Sequence, residues 1–482
     1  MVAINPGLFI NGSWILAETL PNFPSRNPVN EKVLGLVPET SSQQLEDAVQ
    51  AAHKALGVWG QLPGLERAQY LLKVAKQFED HQTEVVEVLI AETGSSFSKA
   101  MFELDYTVRF LKAASADFRF GNGEVFPSDD GTLSYTTRRP LGVIACISPW
   151  NVPLVLTIKK VANALIAGNT VVLKPSEDSS LTVMKLVEMF AAAELPAGVL
   201  NLITGHGDVG RALIAHPLTK AVSFTGSTAT GKKIAAQAGG LLKRCVLELG
   251  GKDALIILED VDLDFAVNVT AFSGLFHQGQ ICMSAERILV QSSIIEQFTE
   301  KLLKKVQGLK TGDPSDHSVD LGPMMSQNQV DIVKDHVEDA KRLGANVLCG
   351  GEHSNGLFYP PTVLKGVTRD MKLFKDETFG PLLPIMGFET IDEAIDIAND
   401  SEYGLSGGVL TNDVEKAFYI TNRLDTGMVH IGNGPLVDDP IDAMFGGVKG
   451  SGMGRENGKA SYEAFTELKW VTVHHKKPGF PF

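Results

Sequence analysis

The sequence predicts an α/β protein built on a parallel sheet, and three observations support that prediction. Short apolar runs alternate with amphipathic helical patterns from Leu141 onward, as in consecutive βαβ units. Glycine-rich or polar segments follow several of these runs, at the strand ends where parallel sheets bind ligands. The chain has 482 residues, more than one hydrophobic core usually organises. Two or three structural units with a cleft between them are therefore expected.

The elements can be placed in chain order. About the first 135 residues predict mostly helices, since apolar side chains recur at helical spacing in residues 45–56, 68–78 and 85–91. The alternating segment predicts strands at 141–148, 169–174, 198–203 and 220–225, and helices at 154–167, 180–193, 209–215 and 227–238. A second α/β region predicts strands at 254–258, 287–290 and 381–388, and helices at 294–307 and 329–343. The final pattern, WVTVHH at 470–475, predicts an edge strand that could pair with a second copy of the chain.

Composition indicates a cytoplasmic protein. The formal net charge is −14, with acidic and basic residues interspersed, so the basic face of a nucleic-acid-binding protein is not expected. The segment MVAINPGLFINGSW lacks the pattern of a secretory signal, and no apolar run approaches the ~20 residues that span a bilayer. The four cysteines, at 146, 245, 282 and 349, form no CxxC pair, so neither a structural metal site nor a disulfide framework is expected.

Three glycine-containing segments are candidates for ligand contacts. Gly205, Gly207 and Gly210 spell GxGxxG before a helix, but the acidic residue expected about 20 positions on is missing, which favours an ordinary strand-to-helix turn. FTGSTATGK is a better phosphate site, because Gly226 allows close approach and Ser227 opens a helix with free N–H groups. Simple capping by Ser227 is the alternative. The carboxy-terminal cluster FGGVKGSGMGRENG predicts a loop that shapes a site.

A lysine and a glutamate follow the neighbouring predicted strand. Lys174 ends the run VVLK, and Glu177 lies three residues beyond it. Together they could hold a ribose diol, and the carboxylate would repel a 2′-phosphate, which favours NAD over NADP. A surface ion pair is the competing interpretation.

Three residues indicate thiol chemistry. Cys282 lies between a helix-like stretch at 271–277 and a predicted strand, where polar neighbours or a helix terminus could lower its pKa, although a lone cysteine is more often a buried apolar residue. Glu248 ends an apolar run, where burial would raise its pKa toward that of a base, or where it could simply bond to backbone. Asn151 follows the first alternating strand and could donate to an oxyanion, although asparagine is also routine in turns beside proline.

Seven short motifs occur in a fixed order along the chain, namely PWN at 149–151, KPSE at 174–177, FTGS at 224–227, ELGGK at 248–252, GQIC at 279–282, ETFGP at 377–381 and FGGVKGSGMGRE at 445–456. Their order and spacing resemble those of the aldehyde dehydrogenase superfamily over nearly the whole chain. The resemblance implies an α/β aldehyde dehydrogenase fold with three parts. These are a Rossmann-like NAD-binding domain at 1–121 and 141–247, a catalytic domain at 248–445, and a small oligomerisation element at 122–140 and 446–482 that includes the active-site glycine loop.

The resemblance also implies roles for individual residues. Cys282 would be the nucleophile, Glu248 the general base, and Asn151 the oxyanion donor together with the backbone N–H of Cys282. Lys160 and Glu456 would be associated with proton movement. The implied cofactor is NAD, with weaker binding of NADP, and its implied contacts are Trp150, Lys174, Ser176, Glu177, Gly207, Gly226, Ser227, Gly250, Glu377 and Phe379. The partners implied are a small-molecule aldehyde and identical subunits in a homodimer or homotetramer.

The substrate is less visible in the sequence. HQGQICMSAER resembles aromatic-aldehyde members, such as the vanillin, benzaldehyde and salicylaldehyde dehydrogenases. The implied pocket is apolar, as aromatic rings require, and consists of Tyr106, Val152, Val155, Ile281, Met283 and Phe445. GPLVDDPIDAM departs from the aryl members, and Asp438, Asp439 and Asp442 would lie near the tunnel mouth and repel dicarboxylic semialdehydes. Aliphatic aldehydes and semialdehydes are the alternative substrates.

Two other functions fit parts of the pattern. A non-catalytic protein could reuse the scaffold, since a fold alone does not fix a function. A hydrolase could use the same thiol, base and oxyanion donor to cleave esters. The intact cofactor motifs disfavour hydrolysis as the main activity, and the joint presence of Cys282, Glu248 and Asn151 disfavours a purely structural protein.

Overall fold

The computed structural model describes residues 6–129, 131–352, 355–438, 440–475 and 479–482. Within these ranges the strands are β1 Gly7–Ile10, β2 Ser13–Leu16, β3 Asn22–Arg26, β4 Val33–Pro38, β5 Val125–Phe126, β6 Leu133–Pro140, β7 Val143–Ser148, β8 Thr170–Pro175, β9 Leu200–Leu202, β10 Thr219–Thr225, β11 Arg244–Glu248, β12 Asp253–Ile257, β13 Ala285–Gln291, β14 Asn346–Cys349, β15 Thr362–Lys365, β16 Leu382–Phe388, β17 Gly407–Leu410, β18 His430–Ile431, β19 Gly452–Met453 and β20 Thr466–Val473. The α-helices are α1 Ser42–Trp59, α2 Gly64–Asp80, α3 Gln82–Thr93, α4 Phe97–Ala114, α5 Pro153–Ile166, α6 Ser180–Ala192, α7 Gly207–Ala215, α8 Thr228–Gly240, α9 Leu263–Leu275, α10 Ile295–Gln307, α11 Gln327–Arg342, α12 Lys372–Lys375, α13 Ile391–Asn399, α14 Val414–Thr421 and α15 Gly458–Ala464.

The first large sheet has the strand order β19-β11-β10-β7-β8-β9-β1-β2 in the described part of the chain. The strands from β11 to β9 are parallel, and β7 and β8 are buried along their whole length, as expected when helices cover both faces. The chain passes from β7 to β8 to β9 on one side and then returns to β10 on the other side of β7. The order in which the chain adds strands therefore reverses between β7 and β10, and folds of this kind bind ligands at such a point.

The second large sheet has the strand order β14-β15-β16-β13-β12-β17-β18 within the described ranges. Its strands are parallel except β14. β12 begins at Asp253, shortly after β11 ends at Glu248, so the carboxyl edge of the first sheet meets the amino edge of the second. Cys282 directly precedes β13, and Glu377 precedes β16. The second sheet thus contributes the amino ends of its strands to the space between the sheets.

Helix α5 lies at the centre of the molecule. Every one of its residues is buried, including Lys159 and Lys160, because α4 packs against it as well as the first sheet. Pro153 occupies its first position, where the missing N–H costs nothing. Val152, the residue that caps the helix, makes no side-chain hydrogen bond to it, so the free N–H groups of the first turn need acceptors from elsewhere.

A small third sheet carries the carboxy-terminal strand. β20 pairs antiparallel with β6 over its whole length, and β5 pairs with the other side of β6. The predicted edge strand is therefore confirmed. Trp470 is 68 % exposed and Leu468 is 51 % exposed on this strand. The division of the chain into three functional parts stays a prediction.

The alternating segment was predicted correctly, and the start of the chain was not. Each predicted strand and helix between residues 141 and 343 is present, with ends that shift by a few residues. The expectation of mostly helices in the first part is incomplete, because β1 to β4 precede α1; runs of four to six residues carry too little periodicity to be recognised. The helix-like stretch at 271–277 is the end of α9, which begins at Leu263 and ends at Leu275, two residues earlier than predicted. His277 and Gln278 have left-handed φ values of 52° and 56°.

The helices of the described residues were also compared with the dimensions of a bilayer. None of them is both long enough and apolar enough to cross a membrane.

Candidate active site

The candidate nucleophile Cys282 lies on the turn that leads into β13. The residue keeps partial exposure to solvent. Burial of its thiol, and then the carboxylates of Glu377, Asp253 and Glu248, raise the pKa of Cys282 far above its usual value. The expectation of a lowered pKa is therefore wrong for the protein without a ligand, because burial and the neighbouring acids outweigh any favourable helix terminus. All four cysteines have free thiols.

Asn151 approaches the nucleophile loop from the first sheet. It lies between β7 and α5 and is 4 % exposed. Its side-chain amide donates a hydrogen bond of 3.0 Å to the carbonyl of Gln280, two residues before Cys282. This contact uses one of the two N–H bonds of the amide. The structure therefore brings together the predicted oxyanion donor and the loop of the predicted nucleophile.

Glu248 is the last residue of β11 and is 2 % exposed. Neither of its carboxylate oxygens has a hydrogen-bond partner in the described structure. Burial, and then the charge of Glu456, raise the pKa of Glu248 well above that of an ordinary carboxyl group. The predicted rise in pKa is confirmed. The alternative of an acid bonded to backbone is wrong, because such bonds to its side chain are absent from the described residues.

Lys160 and Glu456 form a buried ion pair beside Glu248. Lys160 Nζ lies 2.6 Å from Glu456 Oε1, and the Ser223 hydroxyl donates to the same oxygen at 3.2 Å. The other oxygen of Glu456 has no hydrogen-bond partner among the described residues. The two residues that the resemblance implied for proton movement therefore meet next to the candidate base.

The carboxy-terminal glycine cluster closes over Glu248. Phe445 and Glu456 exchange backbone hydrogen bonds of 2.9 and 2.8 Å at its two ends. Gly446 has a φ of 149°, and a Cβ there would lie 2.8 Å from Glu248 Oε1, so this close approach requires glycine. Part of the cluster is the short strand β19, which extends the first sheet beside β11. The predicted site-shaping loop thus also contributes an edge strand.

The candidate cofactor residues line the carboxyl edge of the first sheet. Lys174 lies near the end of β8, and its Nζ donates to the carbonyl of Pro175 at 2.9 Å. Glu177 is partly exposed, and its carboxylate lies 3.5 Å from Nδ1 of His206. The two side chains therefore have other contacts, and the proposed surface ion pair between Lys174 and Glu177 does not form in the described structure.

Four other predicted cofactor residues are at helix or turn starts. Ser227 caps α8 by accepting the N–H of Thr230 at 3.3 Å, and Gly226 precedes it after β10. Ser176 accepts the N–H of Asp178 at 3.3 Å, and Gly207 is the first residue of α7. The two serines therefore do cap their own turns, and the cofactor roles of all four residues stay predictions.

The remaining predicted cofactor residues come from both sides of the cleft: Trp150 follows β7 of the first sheet, and Glu377 and Phe379 precede β16 of the second. The rings of Trp150 and Phe379 meet edge to face with centroids 5.6 Å apart. Glu377 accepts the N–H of Gly251 at 2.9 Å, and a Cβ on Gly250 would lie 2.5 Å from the same carboxylate. Burial, and then Glu286, raise the pKa of Glu377 to about 8.

A buried ion pair that the sequence did not reveal supports this region. Glu286 accepts the backbone N–H groups of Thr378 and Phe379, both at 2.7 Å. Lys252 Nζ lies 2.6 Å from the carboxylate of Glu286. The pair fixes the loop that carries Glu377 and Phe379.

The cleft between the sheets fits a dinucleotide. The start of α8 offers free N–H groups and the positive end of the helix dipole to a pyrophosphate. The hydroxyl of Thr225, at the end of β10, is buried without a hydrogen-bond partner in the described structure. An unsatisfied polar group at this edge is consistent with a ligand that supplies the missing contact.

An apolar cavity of about 160 Å³ ends on Cys282. All six predicted substrate residues line it, namely Tyr106, Val152, Val155, Ile281, Met283 and Phe445. The sequence analysis missed several further aromatic and aliphatic lining residues, including Phe102, Phe272, Phe276 and Leu436. They come from distant segments of chain, which no local motif brings together.

The cavity also contains charges that the sequence analysis predicted only in part. Lys159 lines the wall, with its ammonium 4.2 Å from the ring centre of Phe445 and 5.1 Å from that of Tyr106. Asp438 is at the cavity, but it pairs with Arg109 at 2.9 Å. Asp442 is not among the lining residues, and Asp439 lies outside the described residues. The predicted position of Asp438 at the cavity is confirmed, although Arg109 balances its charge, and Asp442 does not line the cavity. The sequence analysis missed Lys159, for which the adjacent lysines at 159–160 on an apolar helix were the available signal.

A buried base beside a thiol, an amide donor and a dinucleotide cleft are the features of a dehydrogenase that uses a thiol nucleophile. The model of the aldehyde dehydrogenase family matches residues 14–471 of the chain. The chain belongs to this family. It is 38 % identical over 459 residues to benzaldehyde dehydrogenase [NAD(+)] of Pseudomonas putida, covering 95 % of this chain and 94 % of that protein. It is 40 % identical over 479 residues to vanillin dehydrogenase of an Amycolatopsis species, and the match covers 99 % of this chain and 98 % of that protein.

A solved structure resembles the whole fold. It is a salicylaldehyde dehydrogenase from Pseudomonas putida G7 complexed with salicylaldehyde, with a TM-score of 0.96 and 37 % sequence identity. The match covers 99 % of both chains. The predicted fold class is therefore confirmed.

Proposed function

We propose that this protein oxidises an aromatic aldehyde to the carboxylic acid with NAD. The apolar cavity that ends on Cys282 carries the proposal. Its volume of about 160 Å³ is close to that of a ~150 Å³ apolar cavity known to hold one benzene molecule. The similarity to benzaldehyde and vanillin dehydrogenases supports the same class of substrate.

The proposed reaction begins at Cys282. Its sulfur attacks the aldehyde carbon, and the new alkoxide accepts hydrogen bonds from the Asn151 amide and the Cys282 backbone N–H. The carbon then loses a hydride, for which NAD held in the cleft would be the acceptor, and an acyl thioester remains on Cys282. Because the thiol pKa is raised in the protein without ligand, its proton must leave before or during the attack, and the partial exposure of Cys282 allows solvent water to take it.

Glu248 carries the second half of the proposed reaction. Its raised pKa and unoccupied carboxylate oxygens suit it to take a proton from the water that attacks the thioester. Glu456 Oε2 is likewise without a hydrogen bond in the described structure. We propose that the proton passes from Glu248 toward Glu456 and Lys160, which form the adjoining ion pair.

Residues at the facing edges of the two sheets would hold the cofactor. Lys174 and Glu177 would bind the adenosine ribose, and the α8 amino terminus with Ser227 would bind the pyrophosphate. Glu377, with Phe379 beside it before β16 of the second sheet, would bind the nicotinamide ribose. The partly exposed carboxylate of Glu177 supports a preference for NAD, because it would repel the additional phosphate of NADP.

Lys159 favours a second candidate substrate class. A buried ammonium in the cavity would attract a carboxylate at the far end of a semialdehyde. The same charge would repel a cationic aldehyde such as betaine aldehyde. The aromatic class remains the principal proposal, because aromatic and aliphatic side chains form most of the wall.

An aldehyde panel tests the proposal. The purified protein would be assayed with benzaldehyde, vanillin, salicylaldehyde, hexanal, succinic semialdehyde and betaine aldehyde, and kcat/KM would be compared with each cofactor. We expect the highest values for the aromatic aldehydes with NAD. Absence of nicotinamide reduction with every aldehyde and both cofactors would refute the enzyme function. A higher kcat/KM for succinic semialdehyde would favour the second candidate.

We also propose a homodimer or homotetramer in the cytoplasm. The exposed apolar side chains of β20, an edge strand, support association with a second copy of the chain. The four free thiols are consistent with a reducing compartment.

A further inference from the structure

We propose that the buried pair of Lys99 and Glu103 positions Asn151 for oxyanion stabilisation. Both residues are on α4, one helical turn apart, and both have 0 % exposure. The inference rests on the proposed role of Asn151, and it adds two positioning residues that do not touch the reacting atoms. Its basis is the set of hydrogen bonds that the pair makes to the turn between β7 and α5.

All three N–H bonds of the Lys99 ammonium are used within the protein. Its ammonium donates to the hydroxyl of Ser95 at 3.0 Å, to the backbone carbonyl of Asn151 at 2.7 Å and to the carboxylate of Glu103. An ammonium has three N–H bonds, so each one has a protein acceptor. Although Lys99 is at the inner wall of the substrate cavity, it has no donor left for a substrate.

Glu103 supplies the cap that α5 lacks. Its second carboxylate oxygen accepts the N–H of Leu154 at 3.0 Å. Leu154 lies in the first helical turn, whose N–H groups have no partner within the helix, and the local cap Val152 makes no side-chain bond to them. A carboxylate at a helix amino terminus is also favoured by the helix dipole. Glu103 therefore fixes the start of α5 from a different helix.

The two contacts hold Asn151 on both sides. Lys99 binds its backbone carbonyl, and its side-chain amide binds the carbonyl of Gln280. An oxyanion donor is effective only when it is fixed before the charge develops, and a displacement of about 1 Å can cost about a hundredfold in rate. A buried ion pair adds little net stability compared with apolar residues. The specific bonds to the Asn151 turn are thus the better explanation of the pair.

A double-mutant cycle tests the inference. One arm removes both charges with Lys99→Met and Glu103→Gln, and the other is Asn151→Ala. The readout is the single-turnover rate of NAD reduction with benzaldehyde at saturating cofactor. We expect Asn151→Ala to lower this rate by about a hundredfold or more. The Lys99→Met/Glu103→Gln variant should lower it by about tenfold to a hundredfold in the otherwise unchanged enzyme, and by less than about twofold when Asn151 is already alanine.

Controls separate positioning from general damage. Lys112→Met removes a half-exposed lysine from the same helix, whose Nζ lies 2.6 Å from Glu79, and it should leave the rate unchanged. The NAD dissociation constant should also be unchanged in all the variants. If the double charge removal prevents folding, Glu103→Gln alone takes its place in the cycle, because glutamine keeps an acceptor for the α5 N–H groups.

The outcomes distinguish this inference from the proposed function. Equal losses of rate in the presence and absence of the Asn151 side chain would overturn the positioning role, and an unchanged rate for Lys99→Met/Glu103→Gln would overturn it as well. If Asn151→Ala itself leaves the rate unchanged, the proposed oxyanion role of Asn151 fails, and the inference fails with it. A loss confined to the Asn151-containing enzyme supports the proposal.

Discussion

Replacing Glu248 with glutamine should separate the two halves of the proposed reaction. The variant keeps Cys282 and Asn151, so attack on the aldehyde and hydride transfer should continue. Hydrolysis of the thioester should become slow, because the amide cannot take a proton from water. We expect a burst of NAD reduction equal to one turnover per active site, followed by a slow steady state.

The structure sets the size of the expected loss. A positioned general base contributes about a hundredfold to ten-thousandfold in rate. Glu248 lacks hydrogen bonds to its carboxylate in the described structure and is 2 % exposed, so neither oxygen is occupied by another donor when the group is ionised. We therefore expect a loss of about a thousandfold in the steady-state rate, which corresponds to about 4 kcal/mol.

The pH dependence follows from the same carboxyl group. Its folded-state pKa is raised above the ordinary value, so it becomes an active base only as the pH rises through that higher pKa. The hydrolysis rate of the unchanged enzyme should rise correspondingly, and that of Glu248→Gln should not.

Because the folded protein holds this proton more tightly than the unfolded chain, the carboxyl group's contribution to stability is lost as the pH rises toward the folded pKa. At neutral pH, the free energy of unfolding of Glu248→Gln should be at least as large as that of the unchanged enzyme.

The assay is rapid mixing with benzaldehyde and NAD, with thermal unfolding measured on the same samples. Glu467→Gln is the control, because this glutamate is at the surface and pairs with Arg244; it should preserve both phases. A steady-state rate for Glu248→Gln within about threefold of the unchanged enzyme would refute the role of general base. Loss of the burst together with the steady state would show that the residue acts before the thioester forms.

Three further predictions concern cofactor, substrate and assembly. Glu177→Gln should narrow the preference for NAD over NADP in kcat/KM, since it removes the charge that opposes the 2′-phosphate; an unchanged ratio would show that Glu177 does not discriminate. Lys159→Met should lower kcat/KM for succinic semialdehyde more than for benzaldehyde, whereas equal effects would exclude a charge-specific contact. Light scattering should give a mass of two or four chains at micromolar concentration, and a stable monomer would contradict the proposed assembly through β20.

The sequence predicted the parallel sheet well because its signals are local. Buried strands such as β7 and β8 are continuous apolar runs, and the helices between them have regular apolar spacing. Asn151, Lys174 and Ser227 could be assigned to one edge because the carboxyl ends of parallel strands lie together. The second sheet was harder to interpret, because it contributes the opposite strand ends, before β13 and β16, to the cleft.

Properties set by three-dimensional surroundings were predicted less well. The raised pKa of Glu248 was predicted from its apolar neighbours in sequence and is confirmed. The expected lowering of the pKa of Cys282 is wrong, because burial of the thiol opposes its ionisation, as do the acids Glu377 and Asp253, which are distant in sequence. The charges at the cavity were predicted only in part: Asp438 lies there as expected, but Lys159 was missed, and the pairing of Asp438 with Arg109 spans 329 positions.

Three buried lysine–glutamate pairs surround the candidate site, and each acts on a different part of it. Lys99 and Glu103 bind the Asn151 turn, Lys252 and Glu286 bind the loop of Glu377 and Phe379, and Lys160 and Glu456 adjoin Glu248. Their partners are separated by 4, 34 and 296 positions in the sequence.

Because buried pairs give little net stability over apolar replacements, their common value is geometric. A charged carboxylate can accept several backbone N–H groups and fix a loop that has no regular structure of its own. The pairs at 99 and 252 fit this description, since each holds backbone groups. The side chains of the pair at 160 bind the hydroxyl of Ser223 and no loop backbone within the described structure. The second carboxylate oxygen of Glu456 has no hydrogen bond there, which supports the different role proposed for this pair, the movement of the proton that Glu248 would remove.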